Sequence, residues 1–210
     1  MKPAIVVVAL LISSTAVLTA ASPRQAEIDL AAAAINGMEA QFTHSFTPKG
    51  FNHPQVESGS VIFGKPPAMR WIYTLPEPKT FVFDGNRSWF YVPADRQVTI
   101  ADIDGQRKRE LPFLLVGDPA ARDRHFDVRE QRRGNTVTTT LQPRDPSGLI
   151  RSVSIVSNGS THRIDSIAYT DRDGNGTLFS FSGYHPARVS ADTFGFAIPA
   201  GVQVVRAGQE

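Results

Sequence analysis

The strongest constraint on the fold of this chain is a cadence of short apolar segments, each broken by residues that turn the backbone. Val56–Phe63, Met69–Thr74, Thr80–Phe83, Ser88–Val92 and Gln97–Ile103 are apolar or alternate apolar with polar residues. Gly64-Lys65-Pro66-Pro67, Leu75-Pro76-Glu77-Pro78, Asp84-Gly85-Asn86 and Pro93-Ala94-Asp95 separate them. Turn signals about every eight to twelve residues predict an antiparallel meander. Asp84-Gly85, set between Phe81-Val82-Phe83 and Trp89-Phe90-Tyr91, is a strong hairpin signal, because a tight turn needs a residue that tolerates positive φ. The rhythm resumes at Phe126–Arg132, Thr136–Pro143, Ile150–Ser157, Ile164–Thr170 and Gly176–Tyr184, with a tail of Phe194–Pro199 and Val202–Val205. A sandwich, a barrel or a strongly curved sheet would satisfy this pattern. The expected class is mainly β (α+β), in one domain over residues 22–210.

Alternation along the strands says which side is greasy, since successive side chains point to opposite faces. Met69, Trp71 and Tyr73 share a face, as do Phe81 and Phe83, Trp89 and Tyr91, and Phe179 and Phe181. A sheet with so large an aromatic face must cover it. The cover is thin. Ile28, Ala31, Ala32, Ile35 and Met38 recur at helical spacing within Arg24–Met38, with Asn36-Gly37 weakening the far end. A second, shorter helix is expected in Leu111-Pro112-Phe113-Leu114-Leu115-Val116-Gly117-Asp118, and a third through Ala120-Ala121-Arg122. An alanine-rich roof over about ten strands predicts a cavity for something apolar.

The first 21 residues read as an export segment: Lys2, then an apolar stretch Ile5–Ile12, then small residues ending at Thr19-Ala20-Ala21, with cleavage expected after Ala21. There are no cysteines, which removes disulfides, thiolate metal sites and a lipid anchor on cysteine. A net charge of only +2, from 22 Lys+Arg against 20 Asp+Glu, does not supply the basic footprint of a nucleic-acid binder. Arg107-Lys108-Arg109 and Arg129 with Arg132-Arg133 read as solvated loop charges. The histidines (His44, His53, His125, His162, His185) lack metal-ligand spacing, and no HExxH, GxSxG or phosphate-cradling loop is present. Asp171, Asp173 and Asn175 before Gly176 resemble a calcium loop but lack its final glutamate, so a hairpin turn is expected. No catalytic residue, metal or cofactor is expected.

From Glu57-Ser58-Gly59 onward the chain resembles the periplasmic outer-membrane lipoprotein carrier proteins, the LolA family. The resemblance is carried by Phe63-Gly64-Lys65-Pro66-Pro67-Ala68-Met69-Arg70-Trp71-Ile72-Tyr73, Pro76, Asp84-Gly85, Trp89-Phe90-Tyr91-Val92-Pro93 and Gln97-Val98. Pro112–Asp118 is similar to the family's mid-chain lid, and Phe194–Val204 to its C-terminal strand pair. The resemblance implies a single strongly curved antiparallel sheet forming an incomplete barrel, with helices closing its mouth. It implies a periplasmic monomer that takes acyl chains of lipidated proteins from an inner-membrane release complex to an outer-membrane acceptor, without catalysis. Another lipid or glycolipid as cargo, or an envelope-stress sensor on the same half-barrel, stays open beside it. The cavity would be lined by Met69, Trp71, Tyr73, Phe81, Phe83, Trp89, Tyr91, Phe179 and Phe181, and Ile28, Ile35, Phe113, Leu114 and Leu115 would form the lid. The family's lid-latching arginine falls where this chain has Pro66, which leaves Lys65 and Arg70 as latch candidates.

Overall fold

A computed structural model describes residues 26–65, 67–104, 111–190 and 192–207. The expected export segment, Pro66 and the Arg107–Arg109 group lie outside these. Twelve strands make one sheet in the spatial order β12-β6-β5-β4-β3-β2-β1-β11-β10-β9-β8-β7. They are β1 (Met38–Thr47), β2 (Gln55–Phe63), β3 (Met69–Leu75), β4 (Lys79–Phe83), β5 (Arg87–Val92), β6 (Gln97–Asp102), β7 (Phe126–Arg133), β8 (Thr136–Pro143), β9 (Ile150–Asn158), β10 (Ile164–Asp171), β11 (Gly176–Pro186) and β12 (Gln203–Arg206). Every neighbouring pair is antiparallel except β12 on β6, which is parallel. Within the sheet β7 and β12 are its two edges and do not pair with each other, so the curl is an incomplete barrel. The helices are α1 (Glu27–Ile35), α2 (Pro112–Val116) and α3 (Pro119–His125).

Local chemistry explains most boundaries. Asp84 Oδ1 accepts from the backbone N–H of Asn86 and of Arg87 at 2.8 and 2.7 Å, and Gly85 takes φ +112°, which closes the expected hairpin. Asp171 accepts from the Asn175 backbone and side chain, so the calcium-like segment is indeed a turn. Pro119 opens α3 just after Asp118, whose carboxylate accepts from Ala121 N–H at 3.0 Å as an N-cap. The first helix is shorter than its apolar spacing predicts. It ends at Ile35, and Gly37 at φ +71° swings the chain into β1. That strand occupies the centre of the sheet and was missed in the sequence, where Ala40, Phe42 and Phe46 alternate but His44 breaks the apolar run. The tail differs too: Phe194–Pro199 forms no strand, and only Gln203–Arg206 joins the sheet. Arg129, Arg132 and Arg133, read as loop charges, are exposed on edge strand β7. This strand keeps the expected Phe126–Arg132 span and extends it by one residue, because the pairing of Thr136–Pro143 continues through them.

The core fills the concave side, between the sheet and the inner faces of α1 and α2. A smaller apolar layer, Val82, Val98 and Ile100, is buried on the opposite face of β4–β6 and stands apart from that core. Against this side of the sheet lies the C-terminal segment, with the Phe194 ring over Gly64 and the Phe196 ring 5.5 Å from Tyr91.

Candidate functional site

Ladder register gathers the aromatic face. Across β3 and β4, Met69 stands opposite Phe83 and Trp71 opposite Phe81; across β1 and β11, Phe42 stands opposite Phe181 and His44 opposite Phe179. Directly paired residues share a face, so these side chains converge. Trp71 is the hub, with ring centroids 4.9 Å from Phe42, 5.2 Å from Phe179 and 5.9 Å from Phe181. Gly59 lets β2 and β3 approach at the bulge beside this cluster; a Cβ there would collide with the Ile72 carbonyl.

The helices press onto this face. Ile28 and Ile35 of α1, with Leu114 and Leu115 of α2, are buried against it. Phe113 drops from α2 into the aromatic cluster, edge-on to Trp71 at 4.8 Å and to Phe179 at 4.5 Å. What space remains is small. One void of about 130 Å³ lies among Met69, Trp71, Tyr73, Phe81, Leu111, Phe113, Leu114 and Phe179. Another of about 30 Å³ lies under Ile35, Phe63, Phe113 and Val116. Ordinary ligand pockets hold about 300–1,000 Å³. The helices close over this face, and Phe113 fills its centre.

Two of the expected lining residues are elsewhere. Trp89 pairs with Val82 and Tyr91 with Thr80, which puts both on the convex face, away from Phe81 and Phe83. The β4–β5 hairpin pairs odd-numbered residues with even-numbered ones, so Phe90, opposite Phe81, is the one that faces inward. Neither latch candidate reaches the lid. Arg70 is also on the convex side, where its Nη1 donates to the carbonyls of Thr193 and Gly195 at 3.3 and 3.2 Å and ties down the C-terminal segment. Lys65 is exposed, and its carbonyl accepts from Ala68 N–H in the β2–β3 turn.

Other side chains, unread in the sequence, anchor α1 and α3. Glu27 is buried at the start of α1, where its carboxylate accepts from Ser157 Oγ at 3.0 Å and meets His162 Nδ1 at 2.9 Å and Arg132 Nη2 at 3.2 Å. Its backbone N–H donates to Glu130 Oε1 at 2.7 Å. Arg122 of α3, only 2% exposed, sets Nη1 2.9 Å from Asp29 Oδ1 of α1. Those two atoms touch as opposite charges without hydrogen-bond alignment. Such pairs bridge over 90 residues of sequence, and no local spacing announces them.

One group on the concave face is ionic. Lys79 Nζ hydrogen-bonds Glu57 Oε1, and His44 Nδ1 lies 3.2 Å from Glu57 Oε2. Lys79 also sits 5.5 Å over the Tyr73 ring, and the His44 ring stacks on Phe179 at 4.2 Å. Burial lowers the pKa of His44 against the pull of Glu57. Burial alone would raise Glu57, but Lys79 and His44 outweigh it and hold the carboxyl below its usual range. Burial, with Glu57 and Tyr169 nearby, raises the Tyr73 phenol. Among the described residues no cluster of His, Asp and Glu has metal-binding geometry.

The profile described as outer membrane lipoprotein carrier protein LolA matches residues 33–197. The chain belongs to this family. An outer-membrane lipoprotein carrier protein of Xanthomonas axonopodis pv. citri is 29% identical over 194 residues, covering 89% of this chain and 90% of the relative. One of Aliivibrio fischeri is 30% identical over 170 residues, covering 80% and 82%. An uncharacterized conserved protein of Thermus thermophilus shares the fold, at TM-score 0.54 and 14% identity over 86% of this chain and 96% of that one. The LolA family is one of carriers, not enzymes, which accords with a site that is aromatic and helix-plugged. In this member Asp29–Arg122 ties α1 to α3, and the Glu27 network ties the start of α1 to β7, β9 and the turn after β9. No helix among the described residues is long and apolar enough to cross a membrane.

Proposed function

We propose that this chain is a periplasmic carrier whose concave aromatic face shelters the acyl chains of lipidated proteins while they cross between membranes. An inner-membrane release complex would load it, and an outer-membrane acceptor would unload it. Phe113 carries this reading: an aromatic side chain on a short helix fills the centre of a face wide enough for hydrocarbon tails. Met69, Trp71, Tyr73, Phe81, Phe83, Phe179 and Phe181 then become the walls once Phe113 withdraws.

The energetics fit the task. Each buried methylene contributes about 0.8 kcal/mol, so one long acyl chain holds its protein in a membrane by roughly 10 kcal/mol. A carrier must offset most of this and still release its load. Closing the lid buries the same aromatic surface that the cargo needs, so plug and cargo compete and net affinity is the difference between them. No covalent step is required. Mass spectrometry of material co-purified with the mature protein tests the reading: triacylated proteins are the expected cargo, and a glycolipid or an empty cavity would overturn it.

A further inference from the structure

An aromatic cavity for hydrocarbon alone would not place a lysine, a glutamate and a histidine on its inner surface. His44, Glu57 and Lys79 sit there, half-buried, on β1, β2 and the start of β4. They are contiguous with the void under the lid, because Lys79 lies over Tyr73 and His44 stacks on Phe179, and both rings line that void. We infer that Lys79, Glu57 and His44 form a polar seat for the ester-linked diacylglyceryl group of the lipidated cargo, with the chains running from it toward Phe113.

The donor and acceptor inventory favours this ligand. Lys79 commits one N–H to Glu57 and keeps two others for carbonyl oxygens. His44, with Nδ1–H turned to the carboxylate, keeps Nε2 as an acceptor for a hydroxyl or amide N–H. With a neutral His44 the three groups carry no net charge, so they offer no counter-charge to a fatty acid or a phosphate. An uncharged, carbonyl-rich head is what they match. Ester carbonyls attached to two apolar chains supply both halves.

This inference rests on the carrier reading, and the test separates the two. Binding of a dipalmitoylglyceryl-cysteinyl peptide is compared with binding of its ether-linked analogue, which has the same chains and no ester carbonyls. The native protein should bind the ester about tenfold more tightly, the value of one hydrogen bond to a charged group. In the double variant Lys79→Met/Glu57→Gln, which leaves no lone charge, both probes should bind at the ether level. The same ester–ether comparison on a dipalmitoyl phospholipid tells whether free lipid uses the seat; a preference there also supports the assignment. Equal binding of ester and ether by the native protein overturns the polar seat, while failure to bind either peptide overturns the carrier reading itself. The comparison on the native protein stands even if the double variant folds poorly.

Discussion

Phe113 shows how one side chain can set both stability and affinity. It is half-buried and makes edge contacts with Trp71 and Phe179. Phe113→Ala should cost about 2 kcal/mol of thermal or denaturant stability, below the usual 3–5 kcal/mol for a fully buried ring. It should also raise affinity for a diacyl peptide several-fold, because closure competes less; a loss of both would show that Phe113 only packs. Trp71 behaves differently, since it is buried among five rings; a carboxylate placed there would damage the fold as well as binding. The ionic group gives a pH signature. His44 and Glu57 both have lowered native pKa values, so the unfolded chain takes up their protons first. Their stabilisation is complete above the ordinary histidine value of about 6.5 and is lost as pH falls through the native values. Denaturant midpoints should therefore drop below about pH 6.5, and His44→Gln should flatten the upper part of that slope. An unchanged slope would contradict it. Much of this was legible residue by residue: period-two alternation marked Met69, Trp71, Tyr73, Phe81 and Phe83. Trp89 and Tyr91 were misplaced because alternation fixes faces within a strand, while only the hairpin register fixes them between strands.

Helices and strands differed in how openly the sequence announced them. Strands bounded by Gly, Pro and Asp turns were readable within a residue or two, whereas β1 was hidden by His44, a polar residue on the inner face. The helices were readable from the apolar cluster Leu111–Val116, Ala120-Ala121-Arg122 and the α1 apolar stripe, but what holds them was not, since Asp29 and Arg122 are 93 positions apart. Removing one partner of a buried pair leaves a desolvated charge at a cost of about 3–5 kcal/mol, whereas replacing both with apolar residues can be neutral. Arg122→Met alone should loosen α2 and α3, seen as faster amide exchange over 112–125. Arg122→Met with Asp29→Leu should restore much of the protection, and equal exchange in both variants would deny the pair a latching role. On the other face Arg70→Ala should free the C-terminal segment, at about 1 kcal/mol from its two carbonyl contacts. Proteolysis between Thr193 and Val202 should quicken while exchange in the lid stays as it was; a change in the lid would reinstate Arg70 as a latch.

At the scale of the whole molecule, the strands of the described residues curl around a space that α1 and α2 nearly fill. A barrel that had closed, β7 on β12, would fix its interior volume; an open one can widen when the helices lift. The overall architecture was legible because turn spacing and an uncovered aromatic face both demand a curved, capped sheet. The degree of filling was not, because it depends on where Phe113 points, and no periodicity reports that. The central claim is that the lid moves aside for hydrocarbon chains. Since the chain has no cysteine, spin labels at Ala120→Cys on exposed α3 and Thr43→Cys on the outer side of β1 would be unique. Pulsed electron-spin distance measurement on this pair, with and without a dipalmitoylglyceryl-cysteinyl peptide, is the most direct test. A distribution that shifts to longer distances on peptide addition is the predicted result; saturating peptide binding with an unmoved distribution would contradict it.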